Sequence, residues 1–167
     1  MSEENYRSTQ LLSTTINIKP DKLKGNINKT LLYLLKKRYE GMCNKDGYIE
    51  NNTIELINRS LGNIKVLNNM SYLTFNLTYK ASVISPSIGN KIKCIVNSNN
   101  KMGLIAYIKQ NKDDTIEDSP FIIIIPKEFF EGVNPESIKV NDEINVEVIN
   151  FRTKYLSKQI QIVSKPI

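Results

Sequence analysis

The fold of this chain is decided around residues 70–90, which read MSYLTFNLTYKASVISPSIGN. From Met70 to Ser85 apolar and polar residues alternate, as at Leu73 and Phe75 with their polar neighbours. A period of two is typical of a β-strand with one buried face, so we predict a strand over 70–85. The following run, Ser85-Pro86-Ser87-Ile88-Gly89-Asn90, is rich in turn residues and is the best candidate domain boundary in the chain.

Upstream of this strand, the pattern predicts a strand followed by a helix. Residues 11–19 alternate and predict a strand. Pro20-Asp21 is a helix start signal, because proline needs no N–H there and the carboxylate suits the helix dipole. Gly25 weakens the first turn, so the ordered helix is expected to begin nearer Asn26 and to end at Gly41. One helix face is apolar and carries Leu23, Ile27, Leu31, Leu34 and Leu35.

The segment between helix and long strand predicts a hairpin. Asp46-Gly47 is a strong turn signal between two short apolar segments. A further strand is expected over 53–57, and residues 58–69 are expected to form a loop.

Beyond the boundary the pattern changes to short strands separated by turn signals. The predicted strands cover 91–97, 102–109, 121–125, 143–151 and 159–163. Five short strands of this kind favour a small closed barrel of the OB type. The expected fold class is therefore α+β, with a helix packed on an antiparallel sheet in 1–82 and an OB-type β-barrel in 83–167.

Composition excludes several classes of protein. The chain has no His, which removes Ser-His and Cys-His catalysis, and its seven Gly include no phosphate-binding loop. Its two cysteines, Cys43 and Cys94, cannot build a four-ligand zinc site without His, and we expect buried, inert thiols. Neither a membrane-spanning run nor a signal peptide at Met1–Asn5 is expected. No catalytic residue, cofactor or metal site is predicted, and the acidic loop 113–118 is interpreted as solvated.

Nucleic-acid binding is the better supported chemistry. The net charge is +6 and the pI is about 9.2, which favours contact with a polyanion. OB barrels commonly bind single strands with a basic groove and aromatic platforms. The candidate RNA-binding residues are Lys91, Lys93, Lys101, Tyr107, Lys109, Arg152 and Lys154, with Phe129 and Tyr155 as further aromatics. The alternative for each is a solubilising lysine or a core aromatic.

Two segments carry a resemblance to a known family. The first runs from Tyr39 to Ile49 and reads YEGMCNKDGYI; the second runs from Leu77 to Gly89 and reads LTYKASVISPSIG. In this order and at this separation they resemble the larger stalk subunit of multisubunit DNA-directed RNA polymerases. The likeness covers roughly residues 11–163.

The resemblance implies an N-terminal RNP-like domain over 1–82 and an OB-type barrel over 83–167. It implies that the front half docks on the large polymerase core subunits and pairs with a smaller helical stalk partner, while the barrel faces nascent RNA. The tip expected to contact the core comprises Gly41, Asn44, Lys45, Asp46 and Gly47.

Departures from the family pattern imply weak RNA contact. The RNA-binding barrels that this domain resembles carry two Phe where this chain has Met102 and Ile105, and often His where it has Pro126. Because stacking a base on an aromatic ring contributes about 1–3 kcal/mol, we expect weak, salt-sensitive and sequence-indifferent binding.

The composition also bears on the source and the location of the chain. It contains 24 Ile, 21 Asn and 19 Lys, which indicates an AT-rich genome, such as that of a large DNA virus or a protist. The expected location is the nucleus for a cellular protein, or the virion and host cytoplasm for a viral one. A free-standing RNA-binding factor and a protein-binding module remain alternative functions.

Overall fold

The computed structural model describes residues 6–132 and 134–167. Met1–Asn5, on which the expectation of no signal peptide rests, lie outside the described residues. In chain order the elements are β1 (Arg7–Ile18), α1 (Ile27–Tyr39), β2 (Cys43–Asn44), β3 (Gly47–Ile49), β4 (Glu55–Arg59), β5 (Asn63–Leu67), β6 (Met70–Ile84), β7 (Lys91–Asn100), β8 (Gly103–Tyr107), β9 (Phe121–Pro126), β10 (Glu143–Arg152) and β11 (Ile160–Pro166). Among these described residues, no helix is both long and apolar enough to cross a membrane.

The protein is a mixed α/β fold with a closed five-stranded barrel. The barrel order is β10-β11-β9-β8-β7, closed by the pairing of β7 with β10. The β9–β11 pair is parallel, whereas its other pairs are antiparallel. This arrangement is consistent with the expected OB type. The five predicted barrel strands are confirmed, each to within three residues at either end.

The chain divides into two compact units, neither of which is continuous in sequence. The barrel unit comprises the described residues up to Ser8, together with Gly41–Tyr48 and Ile84–Ile167. The helix unit comprises Thr9–Glu40 and Ile49–Val83. The hairpin of β2 and β3 thus groups, up to Tyr48, with the barrel.

The barrel unit encloses its own apolar core. Alternate residues of β7, β8, β9, β10 and β11 point inward, including the fully buried Ile123 and Val146. Tyr6 joins this core edge-on to Phe121, with ring centroids 5.2 Å apart. Cys43 also belongs to it, so the hairpin contributes side chains to the barrel core.

The helix unit has a second core, formed between α1 and two long strands. Leu31, Leu35 and Tyr39 are the buried residues of α1. They cluster with inward residues of β1 and of β6, which are neighbours in the sheet. Tyr39 stacks on Tyr79 of β6, with ring centroids 5.8 Å apart. The buried residues of α1 recur every four positions, whereas Ile27, also expected on this face, is 37% exposed.

The helix begins where the sequence predicts. Pro20–Lys22 forms only a 3-10 turn, and Gly25 has a φ of +75° that an α-helix cannot contain. The Asn26 side chain then accepts hydrogen bonds from the backbone N–H groups of Asn28 and Lys29, which fixes the start of α1.

The predicted loop over 58–69 is wrong, because β4 runs to Arg59 and residues 63–67 form β5. β5 and β6 form a hairpin in which Leu67 pairs with Met70. Its turn residues Asn68 and Asn69 have φ angles of +51° and +63°, values that asparagine tolerates in tight hairpins. Sequence patterning misses β5 because every side chain in it is exposed, so no buried face marks it.

Candidate partner and nucleic-acid interfaces

The predicted docking tip is a tight turn organised by one buried side chain. The Oδ1 atom of Asn44 accepts hydrogen bonds from the backbone N–H groups of Asp46 at 2.7 Å and Gly47 at 3.0 Å. Gly47 has a φ of +141° and Gly41 a φ of +69°, conformations that favour glycine. Lys45 is exposed and Asp46 half-buried, whereas Asn44 and Gly47 are buried. The turn thus presents mainly its lysine to solvent.

The hairpin is fastened to the loop between β10 and β11. The Cys43 N–H donates to the Ser157 carbonyl at 2.7 Å, and the Leu156 N–H donates to the Cys43 carbonyl at 2.7 Å. This places the predicted tip beside the loop that carries Lys154. Burial raises the pKa of the Cys43 thiol, with an opposing hydrogen bond from Ser157, so the thiol stays protonated. The predicted state of both cysteines, buried and unbridged, is confirmed.

The turn between β7 and β8 repeats the construction of the hairpin tip. The Oδ1 atom of Asn100 accepts from the N–H groups of Met102 at 2.9 Å and Gly103 at 3.2 Å. Gly103 has a φ of +148°. Both turns share the pattern Asn-Lys-x-Gly, with the lysine at the exposed apex. Met102, at the same turn, is 86% exposed.

Two of the candidate cations on β7 face carboxylates. Lys93 forms an ion pair with Glu143 at 2.9 Å, both side chains being more than half exposed. Lys91 lies directly across from Glu147 on β10, and Glu147 also pairs with Lys165 at 3.2 Å. Exposed pairs of this kind contribute little to stability. The carboxylates nevertheless reduce the positive electrostatic potential that Lys91 and Lys93 would offer to a phosphate.

Arg152 and Lys154 lie in a different setting at the β10–β11 loop. They line a cavity of about 230 Å³ together with Ser157, Gln159 and Gln161. No carboxylate lines this cavity, and neither cation forms an ion pair among the described residues. The seven RNA-binding candidates are therefore not one patch. Arg152 and Lys154 share this cavity, and none of the other five candidates lines it.

The aromatic candidates differ in how much of each side chain is exposed. Tyr107 is only 6% exposed, which leaves almost no ring surface for a base. Phe129 is half-buried, whereas Tyr155 is 56% exposed next to Lys154. The remaining candidates, Lys101 and Lys109, are exposed at the two ends of β8.

The acidic loop has a structural explanation. The Asp114 carboxylate accepts from the backbone N–H groups of Gln110 at 3.0 Å and Asn111 at 2.8 Å. Asp118 accepts from the Thr115 N–H at 3.0 Å and completes a capping box. Within the described ranges, no group of three or more acidic or cysteine side chains could hold a metal ion.

An open strand edge in the helix unit was not predicted from sequence. In the described part of the chain, β4 and β5 pair only with β6, which leaves their outer edges unpaired. Exposed apolar side chains gather there: Ile57 is 50%, Leu61 83%, Ile64 79% and Val66 65% exposed. A groove of about 600 Å³ between α1 and β4 includes Ile57 and Leu61 in its lining. Clustered exposed aliphatics of this kind are typical of interaction surfaces.

Comparison with known proteins does not assign the chain to a family. No protein-family model matches the chain, and no curated protein matches it. Among solved structures, an uncharacterized protein from Methanocaldococcus jannaschii matches at 19% sequence identity and a TM-score of 0.39. That match covers 50% of this chain and 96% of the other.

Proposed function

We propose that this chain is the larger stalk subunit of a multisubunit DNA-directed RNA polymerase. It has no catalytic role of its own, docks on the large core subunits through residues 1–82, and contacts nascent RNA weakly through its barrel. The observation that carries the proposal is the meeting of the two family-like segments in one core. Cys43 and Tyr48 of the first segment and Ile84 of the second belong to the same buried cluster.

Further contacts join Ser82 of the second segment to Glu50, the residue that directly follows the first segment. The Glu50 N–H donates to the Ser82 carbonyl at 3.0 Å, and the Ser82 hydroxyl donates to the Glu50 carboxylate at 2.7 Å. We further propose that the front half is an RNP-like domain, which the burial of one α1 face against β1 and β6 supports.

Two surfaces support a docking role for the front half. The hairpin tip offers Lys45 on a turn that Asn44 closes with two hydrogen bonds and whose positive φ angles fall on glycines. The exposed aliphatics of β4 and β5 offer apolar area that a core subunit or a smaller helical stalk partner would bury. Removing this apolar surface from water would favour association.

The proposed RNA contact on the barrel centres on Arg152 and Lys154. They share a cavity without a carboxylate, whereas Lys91 and Lys93 face acidic partners. Two phosphate contacts with little stacking give weak binding that falls about sevenfold between about 50 and 200 mM salt. This agrees with the expected weak and sequence-indifferent contact.

Affinity purification from the native source tests the proposal. A tagged chain is expected to recover the large catalytic subunits of a polymerase, identified by mass spectrometry. Lys45→Glu should reduce their recovery, whereas Lys109→Glu, an equal charge change on the barrel, should not. A chain that purifies without any polymerase subunit contradicts the proposal. Such a chain binding RNA tightly as a monomer would instead be a free-standing RNA-binding factor.

A protein-binding module is the second candidate function, and the outer face of the barrel favours it. Ile105 pairs with Ile124, and Ile124 pairs with Val163, so an aliphatic row crosses β8, β9 and β11. Ile124 is 39% exposed. Recovery of a partner other than polymerase, lost in Ile124→Glu, would select this function. Localisation follows the host: the nucleus for a cellular polymerase, the virion and host cytoplasm for a viral one.

A further inference from the structure

The charge excess of the chain is concentrated in one segment of the helix unit. Seven cations and one carboxylate lie between Lys19 and Arg38. The fold bends this segment, since a 3-10 turn at Pro20–Lys22 and then α1 follow β1. Cations from the beginning and the end of the segment consequently meet around one cavity.

That cavity is basic and partly aromatic. Its volume is about 460 Å³, and its lining includes Lys19, Lys22, Lys37, Tyr33 and Tyr72. The lining contains no Asp or Glu, and Asp21, the carboxylate of the segment, is not part of it. Among the described residues, none of the three lysines forms an ion pair. A site with three uncompensated ammonium groups attracts an anion.

The two tyrosines narrow the choice of anion. Tyr33 lies one helical turn before Lys37 on α1, at the i, i+4 spacing that places both side chains on one face. Tyr33 is 63% exposed, so its ring is accessible to a ligand. Tyr72 enters from β6, and Ile18 and Leu34 supply apolar surface. Exposed rings beside lysines are the elements with which proteins bind single-stranded nucleic acid, stacking bases and pairing phosphates.

We propose that the cavity lined by Lys19, Lys22, Tyr33, Lys37 and Tyr72 binds single-stranded RNA, with the lysines on phosphates and Tyr33 stacking on a base. This site lies on the helix unit and is separate from the Arg152 and Lys154 cavity of the barrel. It extends the RNA contact of the proposed function to the front half, to residues that lie outside the two family-like segments. Membership of a polymerase is not needed for it.

Fluorescence anisotropy of the full chain with a fluorescein-labelled oligouridine of about 20 nucleotides tests the site. Reversing two cations, Lys22→Glu with Lys37→Glu, should weaken binding at least tenfold at about 50 mM salt. The slope of log K against log salt should become shallower by about 1.4, which is two phosphate contacts. The matched control, Lys24→Glu with Lys36→Glu, changes the same charge in the same segment outside the cavity lining. It should retain most of the affinity.

Tyr33 separates nucleic acid from other polyanions. Tyr33→Ala should weaken RNA binding about tenfold, whereas Tyr33→Phe, which keeps the ring, should restore it. Binding of inorganic polyphosphate should be insensitive to either substitution. Because the side chain is exposed, both variants should keep the circular dichroism spectrum of the parent chain.

Three results would overturn the inference. Equal losses in the cavity variant and its matched control would mean that net charge alone acts. RNA binding unchanged in Tyr33→Ala would mean that the cavity takes a polyanion or an acidic protein segment. Abolition of binding by Arg152→Glu with Lys154→Glu, with the cavity variant unaffected, would leave RNA contact on the barrel alone. In that last case the proposed function stands and this inference fails. If instead the chain purifies without polymerase subunits but its RNA binding depends on Tyr33, this inference stands and the proposed function fails.

Discussion

Replacing Gly103 by alanine should destabilise the barrel more than the same substitution at Gly89 or Gly132, where a Cβ would meet nothing within 4 Å. Gly103 begins β8 with a φ of +148°, a region that is essentially reserved for glycine and costs other residues about 1–3 kcal/mol. A Cβ there would overlap the carbonyl oxygen of Ile125 and lie 3.0 Å from the Cα atom of Pro126. Both obstacles belong to the backbone of the paired strand β9, so relief requires the ladder itself to move. Overpacking of this kind costs about 1–3 kcal/mol, so the backbone and overpacking terms together give a loss of about 2–6 kcal/mol.

Gly132→Ala is the matched control for this prediction. Gly132 also has a positive φ, +74°, but a Cβ there would meet nothing within 4 Å. Its cost is then the backbone term alone, about 1–2 kcal/mol. Urea unfolding followed by circular dichroism gives both free energies, provided that the denaturant slopes agree. If Gly103→Ala loses no more stability than Gly132→Ala, the steric reasoning about the β8–β9 pairing is refuted.

Three further outcomes are expected. Asn44→Ala removes two hydrogen bonds to backbone N–H groups and should lower the free energy of unfolding in urea by about 2 kcal/mol. The control Asn97→Ala, at an exposed position, should change it by no more than about 0.5 kcal/mol. Equal effects would mean that the tip turn does not depend on Asn44. Burial raises the pKa of the Cys94 thiol from 9.0 to about 12, so above pH 9 only the unfolded state ionises and stability falls as pH rises towards 12. Cys94→Val should flatten that fall by up to about 1.4 kcal/mol per pH unit, and an unchanged pH profile would argue against a buried thiol. Arg152→Glu with Lys154→Glu should weaken RNA binding and reduce its salt dependence without changing the melting temperature, and unaltered binding would remove the barrel contact from the proposed function.

The sequence predicts the barrel well because its strands have one buried face each. In β9, Phe121, Ile123 and Ile125 are fully buried and alternate with more exposed neighbours, which is the period of two typical of a strand. The same logic predicts α1, whose buried residues recur at helical spacing. The Asn26 cap also follows from local chemistry, since Gly25 prevents an earlier start.

Other features could not be predicted because their cause is not local. β5 has no buried residue and exists because β6 pairs with it. Tyr107 was expected to offer a stacking platform, but its 6% exposure depends on side chains that lie far away in sequence. The cavity around Tyr33 depends on Tyr72, which reaches it only through the sheet. A usable signal was nevertheless present in the repeated Asn-Lys-x-Gly turns, which mark two lysine-tipped loops.

The discontinuous units have a practical consequence for dissecting the protein. A fragment beginning at residue 83 would contain every strand of the barrel and would look like a natural truncation. It would nonetheless lack Tyr6, whose ring packs on Phe121, and Cys43, whose backbone bonds to Leu156 and Ser157. Such a fragment would expose apolar surface and leave backbone groups of Leu156 and Ser157 without the hydrogen bonds that Cys43 makes in the intact chain. Binding measured with this fragment would include non-specific association through the newly exposed apolar surface. The two units are therefore better tested by point substitutions than by deletions.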